Sequence, residues 1–271
     1  MPTLRTDDII TYYEAHGEGK PLVFIHGAGA SHHMWRPQVE HFSRKYKVIT
    51  YDVRGHGQSE AVDSIAFETR RYSCELFADD LHALLDGLDM EKPVICGLSL
   101  GGMIAQAYAV KYPDDLRALV LADTAASSAL GWGEKLQKAL LPKWAVKLLI
   151  RCLSRERYAQ FAFSFFKDIE PEVKEYLIRE HLKFKKEELL EVTDAIYDFQ
   201  LLELSRIKVP TLIVVGERER KAVLAHAEKI HELIEDSSIV IVRDAMHASN
   251  LENPERFNKE LEEFFSPHNR M

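Results

Sequence analysis

The stretch Val94-Ile95-Cys96-Gly97-Leu98-Ser99-Leu100-Gly101-Gly102 constrains this chain more than any other. An apolar run of strand character leads into Gly-x-Ser-x-Gly, and a helix-compatible segment follows. In that order the pattern describes a sharp strand–turn–helix that lifts a serine hydroxyl clear of the backbone. Side chains two residues before and two after the serine would collide with neighbouring backbone, so glycine at 97 and 101 fits the turn. Cys96, on the incoming strand, reads as a small buried filler rather than a reactive thiol. Gly-x-Ser-x-Gly alone is a common pattern. Its weight depends on whether the rest of the chain brings a base, an acid and hydrogen-bond donors to Ser99.

Short apolar runs at 9–14, 21–26, 47–51, 93–96, 116–122, 210–215 and 238–242 read as strands. Segments 34–45, 72–88, 101–111, 221–234 and 254–265 read as helices. Such alternation predicts an α/β chain with a mostly parallel sheet covered by helices on both faces. It breaks between 126 and 207, where no strand-like run occurs and helices are expected over 132–152, 156–166 and 171–204. The expected division is a core domain of residues 1–125 and 208–271 with a helical insertion at 126–207. The insertion is rich in large apolar residues: Trp132, Leu140, Leu141, Trp144, Leu148, Phe161, Phe163, Phe165 and Phe166. Most are expected to pack within it and onto the core. A few are expected to line a pocket over the carboxyl ends of the strands, where ligands bind in open α/β sheets.

A serine hydroxyl at neutral pH is a poor nucleophile without a base, an orienting acid and oxyanion donors. His247, in Asp244-Ala245-Met246-His247-Ala248-Ser249-Asn250, follows the last strand and precedes the last helix. Loops after parallel strands converge on one rim, so His247 is the expected base. His16, His181, His226, His231 and His268 have no comparable setting. The acid is expected in Gly216-Glu217-Arg218-Glu219-Arg220. Glu219 is the assignment, with Asp123 and Glu217 as alternatives, and the flanking arginines would favour its ionised form. The oxyanion donors are expected to be the backbone N–H of Leu100, at a helix start, and that of Ala28 in His26-Gly27-Ala28-Gly29-Ala30. His32 and His33 lie near that loop and are weighed for substrate contact. The glycine-rich run Asp52-Val53-Arg54-Gly55-His56-Gly57-Gln58-Ser59 lacks a phosphate-binding pattern, and bracing of the rim is its expected role.

A net charge of −8 without a basic stripe argues against nucleic acid as a partner. No cofactor is implied, and no His-x-x-x-His or Cys-x-x-Cys pair suggests a metal. No run approaches a membrane span, and residues 1–20 lack an apolar signal core. Three cysteines without framework spacing suggest a reducing compartment. The expectation is a cytoplasmic protein with a small-molecule substrate and no membrane partner.

These residues together resemble the α/β-hydrolase superfamily over nearly the whole chain. The resemblance rests on His26-Gly27-x-Gly29, Asp52-x-Arg54-Gly55-His56-Gly57-x-Ser59, Gly97-x-Ser99-x-Gly101-Gly102, and the His247 loop running to Asn253-Pro254. It implies a mostly parallel eight-stranded sheet with a helical cap inserted after the sixth strand, and the chain order nucleophile, acid, base. Within the superfamily the chain looks like the small cap-bearing serine esterases and 3-oxoadipate enol-lactonases. The supporting runs are Gly97 to Met103 and Leu119-Val120-Leu121-Ala122-Asp123-Thr124-Ala125-Ala126. Glu219 stands where aspartate is usual. Serine at 99 sets the chain apart from the dehalogenase and epoxide hydrolase branches, which use aspartate there. The expected activity is hydrolysis of a carboxylic ester or lactone through an acyl-enzyme on Ser99. The alternatives are a cofactor-free perhydrolase, with which Trp35 is compatible, and a small-ligand receptor on the same fold.

Overall fold

The computed structural model describes residues 2–6, 8–62, 71–166 and 168–266. His268 and both extreme ends of the expected core domain lie outside the described residues. The strands are β1 (Thr3–Arg5), β2 (Ile9–His16), β3 (Lys20–Ile25), β4 (Tyr46–Tyr51), β5 (Glu60–Ala61), β6 (Val94–Leu98), β7 (Ala118–Ala122), β8 (Thr211–Gly216) and β9 (Ser237–Val242). They form one sheet in the order β1-β2-β4-β3-β6-β7-β8-β9, with the two-residue β5 pairing β2 off this path. Pairings from β4 through β9 are parallel, and those of β2 with β1, β4 and β5 are antiparallel. The eight-stranded expectation holds for the continuous path. β1 and β5 carry no periodic signal because they are two or three residues long and lie at the sheet margin.

Helices α1 (Arg36–Phe42), α2 (Cys74–Gly87), α3 (Leu100–Lys111), α9 (Lys221–Leu233) and α11 (Pro254–Phe265) cover the sheet. Five more, α4 (Trp132–Leu140), α5 (Lys143–Cys152), α6 (Arg155–Phe163), α7 (Pro171–His181) and α8 (Lys186–Asp198), lie between β7 and β8, and α10 (Ser249–Glu252) precedes α11. Every residue of β6, β7 and β8 is buried, as a sheet covered on both faces requires. Successive strand residues feed opposite cores. Ile95, Leu119, Leu121 and Ile213 meet Phe77, Leu81, Tyr108 and Ile230. Val94, Cys96, Val120 and Leu212 meet Trp35, Phe42, Phe257 and Phe265.

Several expected helices are shorter or divided. The span 132–152 breaks between α4 and α5 at Pro142, which has no N–H and whose ring obstructs the preceding turn. The span 171–204 stops at His181, restarts at Lys186 and ends at Asp198. The span 34–45 begins as a 3-10 turn, His32–Trp35, and becomes α-helical at Arg36–Phe42.

The glycine-rich run after β4 is a brace of polar contacts. Asp52 Oδ1 accepts from His32 N and pairs with His32 Nδ1, both at 2.8 Å, and Asp52 Oδ2 accepts from Gln58 N at 2.8 Å. A Cβ on Gly57 would stand 2.1 Å from Asp52 Oδ2, at a backbone φ of +52°. Buried Arg54 grips Asp80 of α2 with both ends of its guanidinium, at 2.7 and 2.6 Å, and reaches Asp8 at 3.1 Å. Burial raises the Asp80 carboxyl even with Arg54 beside it. Arg54→Ala therefore strands a buried acid and is expected to cost about 3–5 kcal/mol. In the variant the Asp80 pKa rises further above its unfolded value, so stability is retained at low pH and lost as pH rises through that pKa. Urea unfolding at pH 5 and pH 8 checks this, and a loss below about 1 kcal/mol at both would make the pair no stronger than a surface one.

Candidate active site

Parallel strands deliver their carboxyl ends to one rim, and Ser99 stands there between β6 and α3. Its φ of +55° and ψ of −116° lie in a region costly for a residue with a side chain. The turn is as tight as its glycines imply. A Cβ on Gly97 would stand 2.1 Å from the Gly101 carbonyl oxygen, and one on Gly101 would stand 2.1 Å from that of Ile25.

His247, in the loop between β9 and α10, faces Ser99 with Nε2 at 3.0 Å from Oγ. Its Nδ1 meets Glu219 Oε1 in a short contact. With Nδ1 protonated toward the carboxylate, Nε2 presents a lone pair to the serine hydroxyl. Glu219 Oε2 in turn accepts from Arg220 N at 2.6 Å. Burial raises the Glu219 carboxyl, but the hydrogen bond and charge of His247 outweigh it, and its pKa ends below the usual value. Burial pulls the His247 imidazole down, and Glu219 outweighs this in the other direction, so its pKa is raised.

The two alternative acids make other contacts. Asp123, at the end of β7 with φ +44°, accepts from Gly216 N at 2.8 Å and from Ser249 Oγ at 2.5 Å. It ties the end of β8 to the start of α10 rather than holding the imidazole. Burial lifts its pKa to about 7 despite the nearby His247. Glu217 accepts from Asp244 N at 3.1 Å on the surface. Sequence order alone left the three acids open, because only tertiary packing says which carboxylate points at Nδ1.

A cavity of about 260 Å³ opens over Ser99 and His247. The 27–30 loop, with Ala28, forms one wall, and Leu98 forms the floor beside the serine. The insertion forms the roof, including Phe163, Phe166, Leu177, Val192 and Ile196. The Phe166 ring lies tilted against the His247 ring, 4.8 Å between centroids. No lysine, arginine, aspartate or glutamate is among the lining residues. Leu100 opens α3, so its N–H has no carbonyl one turn back within the helix.

Some expectations about individual side chains change. His32 is buried on Asp52, and neither it nor His33 lines the cavity. Trp35 stacks on Phe24 in the core, 4.7 Å between centroids, and is also absent from the lining. His181, unremarkable in sequence, does line the cavity. Burial drives its pKa down to about 4, so a neutral imidazole stands in an otherwise mostly apolar wall. Its only sequence signal was membership of the insertion. Of the nine large apolar residues singled out there, Phe163 and Phe166 line the cavity, whereas Trp132, Leu140, Trp144, Leu148 and Phe165 are exposed. Among the described residues no cluster of potential metal ligands occurs, and no helix is long and apolar enough to cross a membrane.

Residues 20–167 match the family model described as the alpha/beta hydrolase fold. Similar curated proteins include 3-oxoadipate enol-lactonase 2 of Acinetobacter baylyi, 29% identical over 96% of this chain and 94% of that protein. The solved enol-lactonase from Burkholderia xenovorans aligns with a TM-score of 0.82 at 26% identity, covering 97% of this chain and 99% of that one. A thermophilic esterase from Thermogutta terrifontis aligns with a TM-score of 0.81 at 28% identity, covering 94% of this chain and 93% of that one. With more than half its length matched by the family model, and with the sheet order and inserted helices described above, the chain belongs to the α/β-hydrolase fold family.

Proposed function

We propose that this protein is a serine hydrolase that cleaves a carboxylic ester or lactone through an acyl-enzyme on Ser99. The observation that carries the reading is His247 held between Ser99 Oγ and Glu219 at the base of a mostly apolar cavity. The kinship with proteins named enol-lactonase and esterase supports the same class.

In this mechanism His247 Nε2 takes the Ser99 proton as Oγ attacks the ester carbonyl carbon. The backbone N–H groups of Leu100 and Ala28 receive the oxyanion, each donor being worth about 3 kcal/mol in the transition state. The tetrahedral centre collapses, His247 gives its proton to the departing alcohol oxygen, and the C–O bond breaks. Water then attacks the acyl carbon, His247 takes its proton, and the acid leaves as Oγ is reprotonated. Glu219 orients the imidazole and stabilises its cation. The helical insertion 126–207 acts as a cap on the core of residues 1–125 and 208–271. Its roof, with Phe166 beside His247, keeps bulk water from the acyl-enzyme.

The cavity also bears on the substrate. At about 260 Å³ it is slightly below the usual size of ligand pockets, which favours a short acyl chain or a small ring. With no lysine, arginine, aspartate or glutamate in its lining it favours a neutral acyl group, since an anionic one would be desolvated with no fixed cation beside it.

Three outcomes follow. Ser99→Ala loses turnover of short p-nitrophenyl esters, by a factor on the order of 10³ or more; turnover like that of the unmodified protein would overturn the assignment. Glu219→Gln lowers kcat by a factor on the order of 10³–10⁴. It also moves the acid limb of the kcat/KM profile to lower pH, because the raised His247 pKa falls once the carboxylate is gone and burial dominates. An unmoved limb would mean that Glu219 does not set the His247 pKa. A p-nitrophenyl ester whose acyl chain ends in a carboxylate has kcat/KM about 10²-fold below its methyl-ended analogue; equal values would place a cation at the site.

A further inference from the structure

Nine large hydrophobic side chains are prominently exposed among the described residues, and five of them fall within seventeen positions of the insertion. Trp132, Leu136 and Leu140 on α4 and Trp144 and Leu148 on α5 recur every fourth residue. Trp132, Leu140 and Trp144 are 79%, 76% and 69% exposed. This departs from the sequence expectation that such residues pack inward. The opposite side of α5 is ordinary core. There Val146 and Ile150 pack with Tyr158, Leu189, Leu190 and Tyr197. The exposed face is therefore not a failure of α5 to find its place in the fold.

The charge around this face is unlike that of the chain. Residues 131–157 hold seven lysines and arginines against two glutamates, in a protein of net charge −8. Lys143 and Lys147 are neutralised by Asp194 and Asp198 of α8. Lys138 instead donates to two neutral oxygens, Ser128 Oγ and the Tyr197 carbonyl, both at 2.7 Å. Arg155 donates to the carbonyls of Leu182 and Phe184. Lys135, Arg151 and Arg157 are exposed and pair with no carboxylate among the described residues. Of the two glutamates, Glu134 is occupied by His226 at 3.0 Å.

We propose that the α4–α5 face docks on an anionic phospholipid surface, with Trp132, Leu136, Leu140, Trp144 and Leu148 entering the headgroup boundary and the unpaired cations facing lipid phosphates. Exposed tryptophan and leucine flanked by lysine and arginine is the combination that holds amphipathic helices in a bilayer interface. Tryptophan rings favour that depth, and each cation gains from the negative surface potential. A second copy of the chain fits less well. A two-fold interface would set the same cationic patch against itself. Surface docking needs no spanning helix, so it is compatible with the absence of one among the described residues. It is also independent of the chemistry assigned to Ser99.

The chain carries its own reporter. It has three tryptophans; Trp35 is fully buried in the core, so a change in emission reports Trp132 and Trp144. The full-length protein is titrated with vesicles of phosphatidylcholine alone and of phosphatidylcholine with phosphatidylglycerol, following co-sedimentation and emission wavelength. The expected result is binding to the anionic vesicles with a shift to shorter wavelength, and weakening in high salt. The apolar variant Trp132→Ser with Leu140→Ser, and the charge variant Lys135→Glu with Arg151→Glu, each lower the affinity roughly tenfold or more. Leu224→Ser, at an exposed leucine on α9, leaves it unchanged. All substitutions are at exposed sites, and unchanged thermal unfolding shows that the fold is kept. Equal affinity for neutral vesicles, no binding to anionic ones, or full binding by both variants would overturn the proposal. So would a dimer in sedimentation equilibrium that the apolar variant dissolves, because that would assign the face to a second copy.

Discussion

The close packing of the Ser99 turn is the constraint on which the rim depends. Strand β6 must stop, reverse into α3 and still lie against β3. A side-chain carbon at Gly97 or Gly101 would come within 2.1 Å of a backbone oxygen. Only with both glycines can the turn hold Ser99 at a positive φ and leave α3 almost entirely buried. That burial makes α3 apolar nearly all round. The helix is therefore an anchor in the core rather than a surface element, and its first N–H groups stay at the rim.

Two buried acids near one imidazole divide the remaining work electrostatically. Glu219 and His247 shift each other toward their charged forms against burial. Asp123 shares the region but receives its hydrogen bonds from Gly216 and Ser249, and burial keeps its pKa near 7. A carboxyl that ties the end of β8 to the start of α10 fixes the two segments that flank Glu219 and His247 without touching the serine. The proposed mechanism thus rests on one acid that supports charge and another that supports geometry.

The insertion shows where patterning loses its hold. Its helical character was legible because no strand-like run interrupts it. The boundaries at Pro142 and at 182–185 were not, because apolar residues continue across them and a periodic reading joins what the backbone separates. Large apolar side chains there gave no indication of direction. Phe163 and Phe166 turn toward the cavity over Ser99, and Trp132, Leu140 and Trp144 turn outward. His181 joined the cavity wall without any local signature, since its position depends on how α7 crosses the 27–30 loop. A Cβ on Gly29 would stand 2.5 Å from His181 Nδ1, which shows how closely those two segments approach.

Sequence alone determined the α/β class, the seven principal strands, and Ser99 and His247 as partners. Those features follow from local rules: apolar runs make buried strands, glycines permit the turn, and loops after parallel strands share a rim. Tertiary structure decided which acid faces the histidine, which aromatic residues roof the cavity, and that no lysine, arginine, aspartate or glutamate lines it. It also left the α4–α5 face exposed. Those outcomes depend on the relative placement of segments far apart in the chain, by 28 residues for His247 with Glu219 and 148 for His247 with Ser99. No local pattern encodes a direction over such a separation, so packing had to supply it.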